Sequence, residues 1–409
     1  MIERIIEWSA KNKFFTILLT VFAILWGVWA LKNTPLDAIP DLSDVQVIIF
    51  AQWEGRSPGL VEDQITYPIV TTMLSAPRVQ AVRGFSFFGY SFVYVIFQDG
   101  TDIYWARSRV LEYMNEALGR LPPGVIPVLG PDATGVGWGF EYALVDESGQ
   151  YDLAQLRTLQ HWYVRYWLKS VPGVADVATL GGFEKQYQVT IDPNRLSAYR
   201  LPLKTIVDAV RMSNTDVGGR VVEFTGREYV VRGRGYIRSL KDVESIAVGA
   251  DGNGTPIFLK EVAKVQLGPE MRRGFAELNG QGEVTGGIVV IRFGESVLDV
   301  IEGVKQKIKE IEPGLPKGVK IIPTYDRSEL IRRSIDTLKE KLIEESIIVS
   351  LVTIVFLFHL RSALVVILML PVAILMSFLA MYYLKISSNI MSLGGIAIAI
   401  GAKIGRAHV

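Results

Sequence analysis

Apolar residues are spread unevenly along the chain, and the periods at which they recur predict different elements in different stretches. The uncharged run Phe14 to Leu31 (FFTILLTVFAILWGVWAL) has 18 residues, which at about 1.5 Å per residue nearly crosses a hydrocarbon layer of about 30 Å. No small-residue cleavage site follows, since the chain continues Lys32-Asn33-Thr34-Pro35, so the run reads as a transmembrane helix rather than a leader. A second apolar region runs from Ser346 to Ala402 and is broken twice. Its spans are Ser346 to Leu360, then Ala363 to Leu384 after the turn Arg361-Ser362, then a third that opens at Ile390. Pro371 in the second is tolerated in a membrane, where neighbouring helices re-satisfy the freed backbone groups. The N-terminal flank carries Arg4, Lys11 and Lys13, and the short turn carries Arg361. Basic flanks stay in the cytoplasm, so residues 34 to about 340 lie outside, in the periplasm of a two-membrane cell.

That external part alternates strand-like and helix-like patterns and repeats itself. Pro77-x-Val79-x-x-Val82 precedes the alternating strand Val93 to Phe97, and Pro172-x-Val174-x-x-Val177 precedes Gly181-Gly182 and Tyr187 to Ile191. A helical stretch stands before each, Leu60 to Leu74 and Leu153 to Leu168, and the first copy has a further helix at Ile103 to Leu118. Helix, hairpin and helix in this order predict a ferredoxin-like βαββαβ unit, duplicated. From Asp192 to about Arg272 the pattern turns glycine-punctuated and β-rich, as an insertion would. The repeat resumes at Gly286 to Ile291, with a helix at Val297 to Ile311 and a strand at Val319 to Ile322. The amphipathic stretch Glu329 to Glu345 then leads into the membrane.

Composition narrows the function classes. The 409 residues are 49% hydrophobic and 21% charged, and 43 Lys and Arg against 42 Asp and Glu leave a net charge of +1. Such balance provides no broad basic footprint for nucleic acid. Zero cysteines exclude disulfides, thiolate metal sites and cysteine nucleophiles. The three histidines, His161, His359 and His408, are far apart and have no metal-ligand spacing. Neither a phosphate-binding Gly-x4-Gly-Lys loop nor a zinc-protease or serine-hydrolase motif occurs, and Gly135-Val-Gly137-Trp-Gly139 lacks the spacing of a dinucleotide loop. Among the nine methionines, whose soft thioethers suit Cu(I) over harder ions, Met369, Met376 and Met381 read as helix packing. Met271 follows Gly268-Pro269-Glu270, and Met391 opens the third apolar span; by composition alone both read as structural. Asp37, Asp41 and Asp44 read as solvated loop carboxylates beside Pro35 and Pro40.

Four strings are more specific than the layout: Thr34-Pro-Leu-Asp-Ala-Ile-Pro-Asp-Leu-Ser-Asp-Val-Gln-Val-Ile-Ile49, Gly130-Pro-Asp-Ala-Thr-Gly-Val-Gly-Trp138, Gly268-Pro-Glu-Met-Arg-Arg-Gly274 and Asn389-Ile-Met-Ser-Leu-Gly-Gly-Ile-Ala-Ile-Ala-Ile-Gly401. With them the chain resembles, from residue 1 to about 402, the first half of the resistance–nodulation–division (RND) efflux permeases. The strings are most similar to the copper/silver branch of the heavy-metal subgroup. The resemblance implies a membrane α-helical protein with periplasmic α+β porter subdomains inserted between the first and second transmembrane helices, multi-pass in the inner membrane. It implies transmembrane helix 1 in residues 1–33, a first porter subdomain at 34–134, a second split into 135–181 and 273–335, a docking subdomain at 182–272, and helices 2, 3 and the start of 4 at 336–402. Met271 falls on a methionine at the floor of the periplasmic cleft, and Met391 on a membrane methionine of a Cu(I)/Ag(I) relay. The implied activity is proton-driven metal antiport, not catalysis, with no cofactor. The implied partners are two further copies in a homotrimer, a periplasmic adaptor and an outer-membrane channel, with the lipid bilayer and no nucleic acid. An RND pump for divalent metals or drugs, or a membrane-tethered scaffold without transport, are the alternatives.

The resemblance stops after Ala402. The family continues Met-Val-Asp-Ala-Ala, its aspartate a proton carrier in mid-membrane, whereas here Gly405 stands in the aspartate's place. Lys403 and Arg406 would each cost about 2.5–3.5 kcal/mol at the centre of a membrane helix. Residues 403–409 are therefore expected to be a non-native tail, similar to a read-through sequencing adapter at the edge of a gene fragment.

Overall fold

A computed structural model describes residues 2–272, 274–357 and 360–406. His359, His408 and the last three tail positions lie outside the described residues. The chain divides into two units, one of residues 1–149, 159–180 and 286–409, the other of 150–158 and 181–285.

In the first unit, alternation of apolar and polar residues folds into a four-stranded sheet. Strands β1 (Gln46–Gln52), β2 (Val79–Phe87), β3 (Tyr90–Phe97) and β4 (Val128–Leu129) are ordered β2-β3-β1-β4. Val47, Ile49 and Ala51 on β1 and Val93, Val95 and Phe97 on β3 point to one face and are buried, as a period of two requires. Two helical stretches cover that face. Pro58–Met73 presents Val61, Ile65, Ile69 and Met73, and Ile103–Leu118 presents Ala106, Val110, Met114 and Ala117. Ser57 caps the first at Leu60 N–H and Asp102 the second at Trp105 N–H, satisfying donors that a helix start leaves open.

The second sheet of this unit runs Val174–Gly181, Glu283–Ile291, Trp138–Asp146, Val319–Asp326 in space, the same relative order as the first. The pairing revises one reading of the repeat. Tyr187 to Ile191, taken as the hairpin strand of the second copy, belongs to Lys185–Ile191, which pairs antiparallel with Ala263–Pro269. The neighbour of Val174–Gly181 is instead Glu283–Ile291. Alternation specifies that a segment is a strand but not which strand it meets, and the intervening residues displace the true partner by about a hundred positions.

Both repeats share a device that hydrophobic pattern does not reveal. The leading helix of each contains a π-helical turn, Glu62–Thr66 in the first and Gln160–Val164 in the second. Each turn lowers a buried polar side chain onto its sheet. Thr66 bonds Ser86 and Ser91 at 2.7 and 2.8 Å, and Gln160 bonds the Tyr142 hydroxyl at 2.8 Å. Each approach is possible because a facing residue lacks a side chain: Gly84 beneath Thr66, Gly287 beside Tyr142 and Gln160.

The helices Lys13–Asn33, Val297–Ile311, Arg327–Leu357, Leu360–Tyr383 and Ile390–Arg406 also belong to this unit. Among the described residues only Lys13–Asn33 is long and apolar enough to cross a membrane; the apolar stretches Ile367–Tyr383 and Ile390–Ala399 are shorter. Its outer surface exposes Phe14, Ile17, Leu18 and Leu25, while Gly27 and Ala30 are buried. Trp29 packs edge-on against Tyr382 at 4.8 Å. Val349, Leu370, Phe378, Met381, Leu393 and Ile396 form the common apolar core, which gives Met381 a packing role; Met369 and Met376 are exposed.

The second unit has a small core of Ile206, Val243, Ile246, Val248, Ile257, Leu259, Val262 and Ala263. Outside it stands the hairpin Val217–Phe224 with Arg227–Gly233, every residue of which is exposed. Asp216 holds its base, accepting from Arg232 and from Gly235 N–H.

Candidate functional site

The polar contacts that join distant parts of the first unit converge on the segment 130–137 and on Asp37. Arg327 is the first residue of the 31-residue helix Arg327–Leu357, and its side chain is only 5% exposed. Nη2 donates to both oxygens of Asp37 at 2.9 and 3.1 Å, and Nη1 donates to the carbonyl of Val136. Asp37 is therefore not a solvated loop carboxylate as the sequence suggested. It follows the helix Lys13–Asn33 by only a few residues, and a buried charge is retained only when paired. Asp41 is also engaged, accepting from the Thr134 hydroxyl at 2.6 Å.

Around Asp37 the backbone makes a short parallel bridge between Leu36 and Ser388. Ser388 N–H donates to Pro35 O at 2.8 Å, Asp37 N–H to Ser388 O at 3.0 Å, and Ile390 N–H to Ala38 O at 3.2 Å. The end of the Lys13–Asn33 helix is thereby fastened to the loop that begins the helix Ile390–Arg406.

The segment from Gly130 to Trp138 connects the two sheets. Gly130 N–H donates to Ile48 O on β1 at 2.7 Å, and Ile291 N–H donates to Gly137 O at 2.7 Å. Asp132 accepts from Arg292 Nε at 2.9 Å and from the Tyr104 hydroxyl at 3.2 Å, and its own carbonyl accepts Phe293 N–H at 2.9 Å. Burial, then the Asp132 charge, push the Tyr104 phenol above its ordinary range. Helix Val297–Ile311 adds Lys305, which bonds Ser328 at 2.9 Å and pairs with Asp326. Arg327, Asp132 and Arg292 were not singled out in the sequence. The available signal was the string Gly130 to Trp138 itself, too polar for a strand and too rich in glycine for a helix.

The two methionines lie in different units. Met271 follows strand Ala263–Pro269 and is 68% exposed. The adjacent Arg272 pairs with Glu283 and lies 5.8 Å over the Phe183 ring. Met391, also 68% exposed, is in the first turn of Ile390–Arg406, where its N–H donates to Asn389 Oδ1 at 3.0 Å. Both side chains are thus largely exposed. Gly405 is in the last turn of the same helix. Among the described residues no group of three or more His, Cys, Asp or Glu is placed to hold a metal ion.

Residues 5–409 match the AcrB/AcrD/AcrF family. The chain is 54% identical over its whole length to the cation efflux system protein CusA of Escherichia coli strain K12, of which it covers 39%. It is 38% identical over 98% of its length to the cobalt-zinc-cadmium resistance protein CzcA of Cupriavidus metallidurans, of which it covers 38%. A crystal structure of a heavy metal efflux pump superposes with a TM-score of 0.84 at 34% identity, over 95% of this chain and 39% of that one. The chain thus spans about two fifths of the length of the relatives it matches.

Proposed function

Since the chain belongs to the AcrB/AcrD/AcrF family, we propose that it forms the first half of a proton-driven RND permease that exports heavy metal, Cu(I) or Ag(I), from the periplasm or cytoplasm. The observation that carries this reading is the 54% identity to a cation efflux protein over every residue of the chain. The lower identity of 38% to a cobalt-zinc-cadmium protein favours soft monovalent cargo over divalent ions, and the exposed thioethers of Met271 and Met391 suit such cargo. These two residues touch the metal in passing; neither forms a closed site alone. The protein is a transporter of the inner membrane, not an enzyme, anchored by Lys13–Asn33 with Lys11 and Lys13 on the cytoplasmic side.

The strand order β2-β3-β1-β4, found again in the second sheet, supports two ferredoxin-like porter subdomains at 34–134 and at 135–181 with 273–335. The separate unit that includes 181–285 supports a docking subdomain near 182–272. Homotrimer assembly is supported by the hairpin at 217–233, which exposes Val221, Phe224, Tyr229 and Val230 to solvent; a two-stranded ribbon is marginal in water without a covering surface. The periplasmic adaptor and the outer-membrane channel rest on the family resemblance. Gly405 stands where that resemblance implies an aspartate.

The test is metal titration of the 409-residue chain in lipid nanodiscs, read by native mass spectrometry. Ag(I) adducts are expected, diminished by Met271→Leu and by Met391→Leu, with no comparable Zn(II) binding. Preference for Zn(II) or Co(II), or Ag(I) binding unchanged in both variants, would overturn the soft-metal assignment.

A further inference from the structure

We infer that Arg327 is a positioning residue, a joint that obliges the head of the long helix, the end of the Lys13–Asn33 helix and the 130–137 linker to move as one piece. Its guanidinium fork stands between two separate hydrogen-bonded chains. Through Nη2 it reaches Asp37, whose backbone N–H continues to Ser388. Through Nη1 it reaches Val136, whose neighbour Gly137 accepts the N–H of Ile291 on the second sheet. One side chain thus links a strand of that sheet to the loop that starts the helix Ile390–Arg406.

Its flanking residues leave it no freedom to follow one arm and abandon the other. Asp326 and Ser328 are both engaged by Lys305 from helix Val297–Ile311, so the turn that carries Arg327 is also held by a third element. Ser328 is fully buried and donates to Asp326 at 2.6 Å. The geometry requires arginine: a planar fork can serve a carboxylate and a carbonyl at once, while a lysine ammonium acts as a point charge. The other ion pairs of this helix among the described residues are far more exposed. Arg333–Glu329 and Lys341–Glu344 each join residues within the helix, and Arg332 reaches Glu302 on helix Val297–Ile311 with side chains 56% and 47% exposed. The inference concerns the mechanics of this chain and stands whether or not the transport reading does.

The experiment is hydrogen–deuterium exchange of the full chain in lipid nanodiscs, followed on peptides covering 35–38, 286–292, 386–390 and β3. Asp37→Asn preserves side-chain shape and touches only one arm of the fork. It is expected to speed exchange at least threefold in 386–390 and also in 286–292, on the other arm, with β3 unchanged. Arg327→Lys and Arg327→Gln are expected to speed both by tenfold or more. The control Arg333→Gln is expected to change neither. A response to Asp37→Asn confined to 35–38 would show two independent contacts and overturn the joint. An equal rise across β3 would show general loosening and overturn it as well.

Discussion

A Cβ atom on Gly84 would stand 2.5 Å from the Cγ2 of Thr66 and 3.0 Å from that of Val70. Thr66 cannot rotate away cheaply, because its hydroxyl is held by both Ser86 and Ser91. Gly84→Ala is therefore expected to destabilise the protein by about 1–3 kcal/mol, the usual cost of overpacking. Adding Thr66→Ala should return part of that loss, since residues in contact are not additive. Thermal unfolding of the two single variants and the double variant checks this; strict additivity would contradict it.

In the second repeat the corresponding polar contact is a two-way bond between Tyr142 and Gln160, both buried. Burial pushes the Tyr142 phenol upward from its ordinary value. Tyr142→Phe leaves the Gln160 amide without its partner and should cost about 1–3 kcal/mol. Replacing both, as Tyr142→Phe with Gln160→Leu, should cost less than the two single changes together. Denaturant midpoints measure the cycle.

Asp326 gives a signed pH dependence. Burial alone would raise its pKa, but the Lys305 ammonium and the Ser328 hydroxyl and N–H outweigh burial and hold it below the ordinary value. A depressed folded-state pKa contributes stability that is complete above the unfolded value of about 3.9 and is lost as pH falls through the folded value. The difference in thermal midpoint between the parent and Asp326→Asn should thus be largest near neutrality and shrink below about pH 3.9. A difference that stays constant down to pH 2.5 would refute the assignment.

The hairpin at 217–233 should govern assembly more than folding. Val230 is 77% exposed and Phe224 71%, so Val230→Asp loses little inside one chain but places a charge on the proposed contact between copies. Native mass spectrometry in detergent should show trimer converting to monomer, with the core of the 181–285 unit still protected from proteolysis. Unchanged trimer content would remove the hairpin from the interface.

The helices read at 60–74 and 153–168 are observed over 58–73 and 153–169, because buried faces recur at helical spacing within a short window. Neither π-helical turn was read, although the buried Val61, Ile65, Ile69 and Met73 recur at every fourth position, a spacing wider than the 3.6 of an α-helix. The partner of Lys185–Ile191 was misread because alternation is the same for every half-buried strand. Asp37 looked solvated because its partner lies 290 positions away, beyond any local window. Met271 and Met391 came from resemblance, not pattern; both are 68% exposed.

The short bridge at Leu36 and Ser388 has a directional mechanical property. Three hydrogen bonds of 2.8–3.2 Å lie side by side along it. A force drawn lengthwise strains all three together, so the end of one helix drags the beginning of the other. A force drawn sideways meets them one after another and peels them apart like a zip. The two helices can therefore exchange a sliding motion and still be separated with little work.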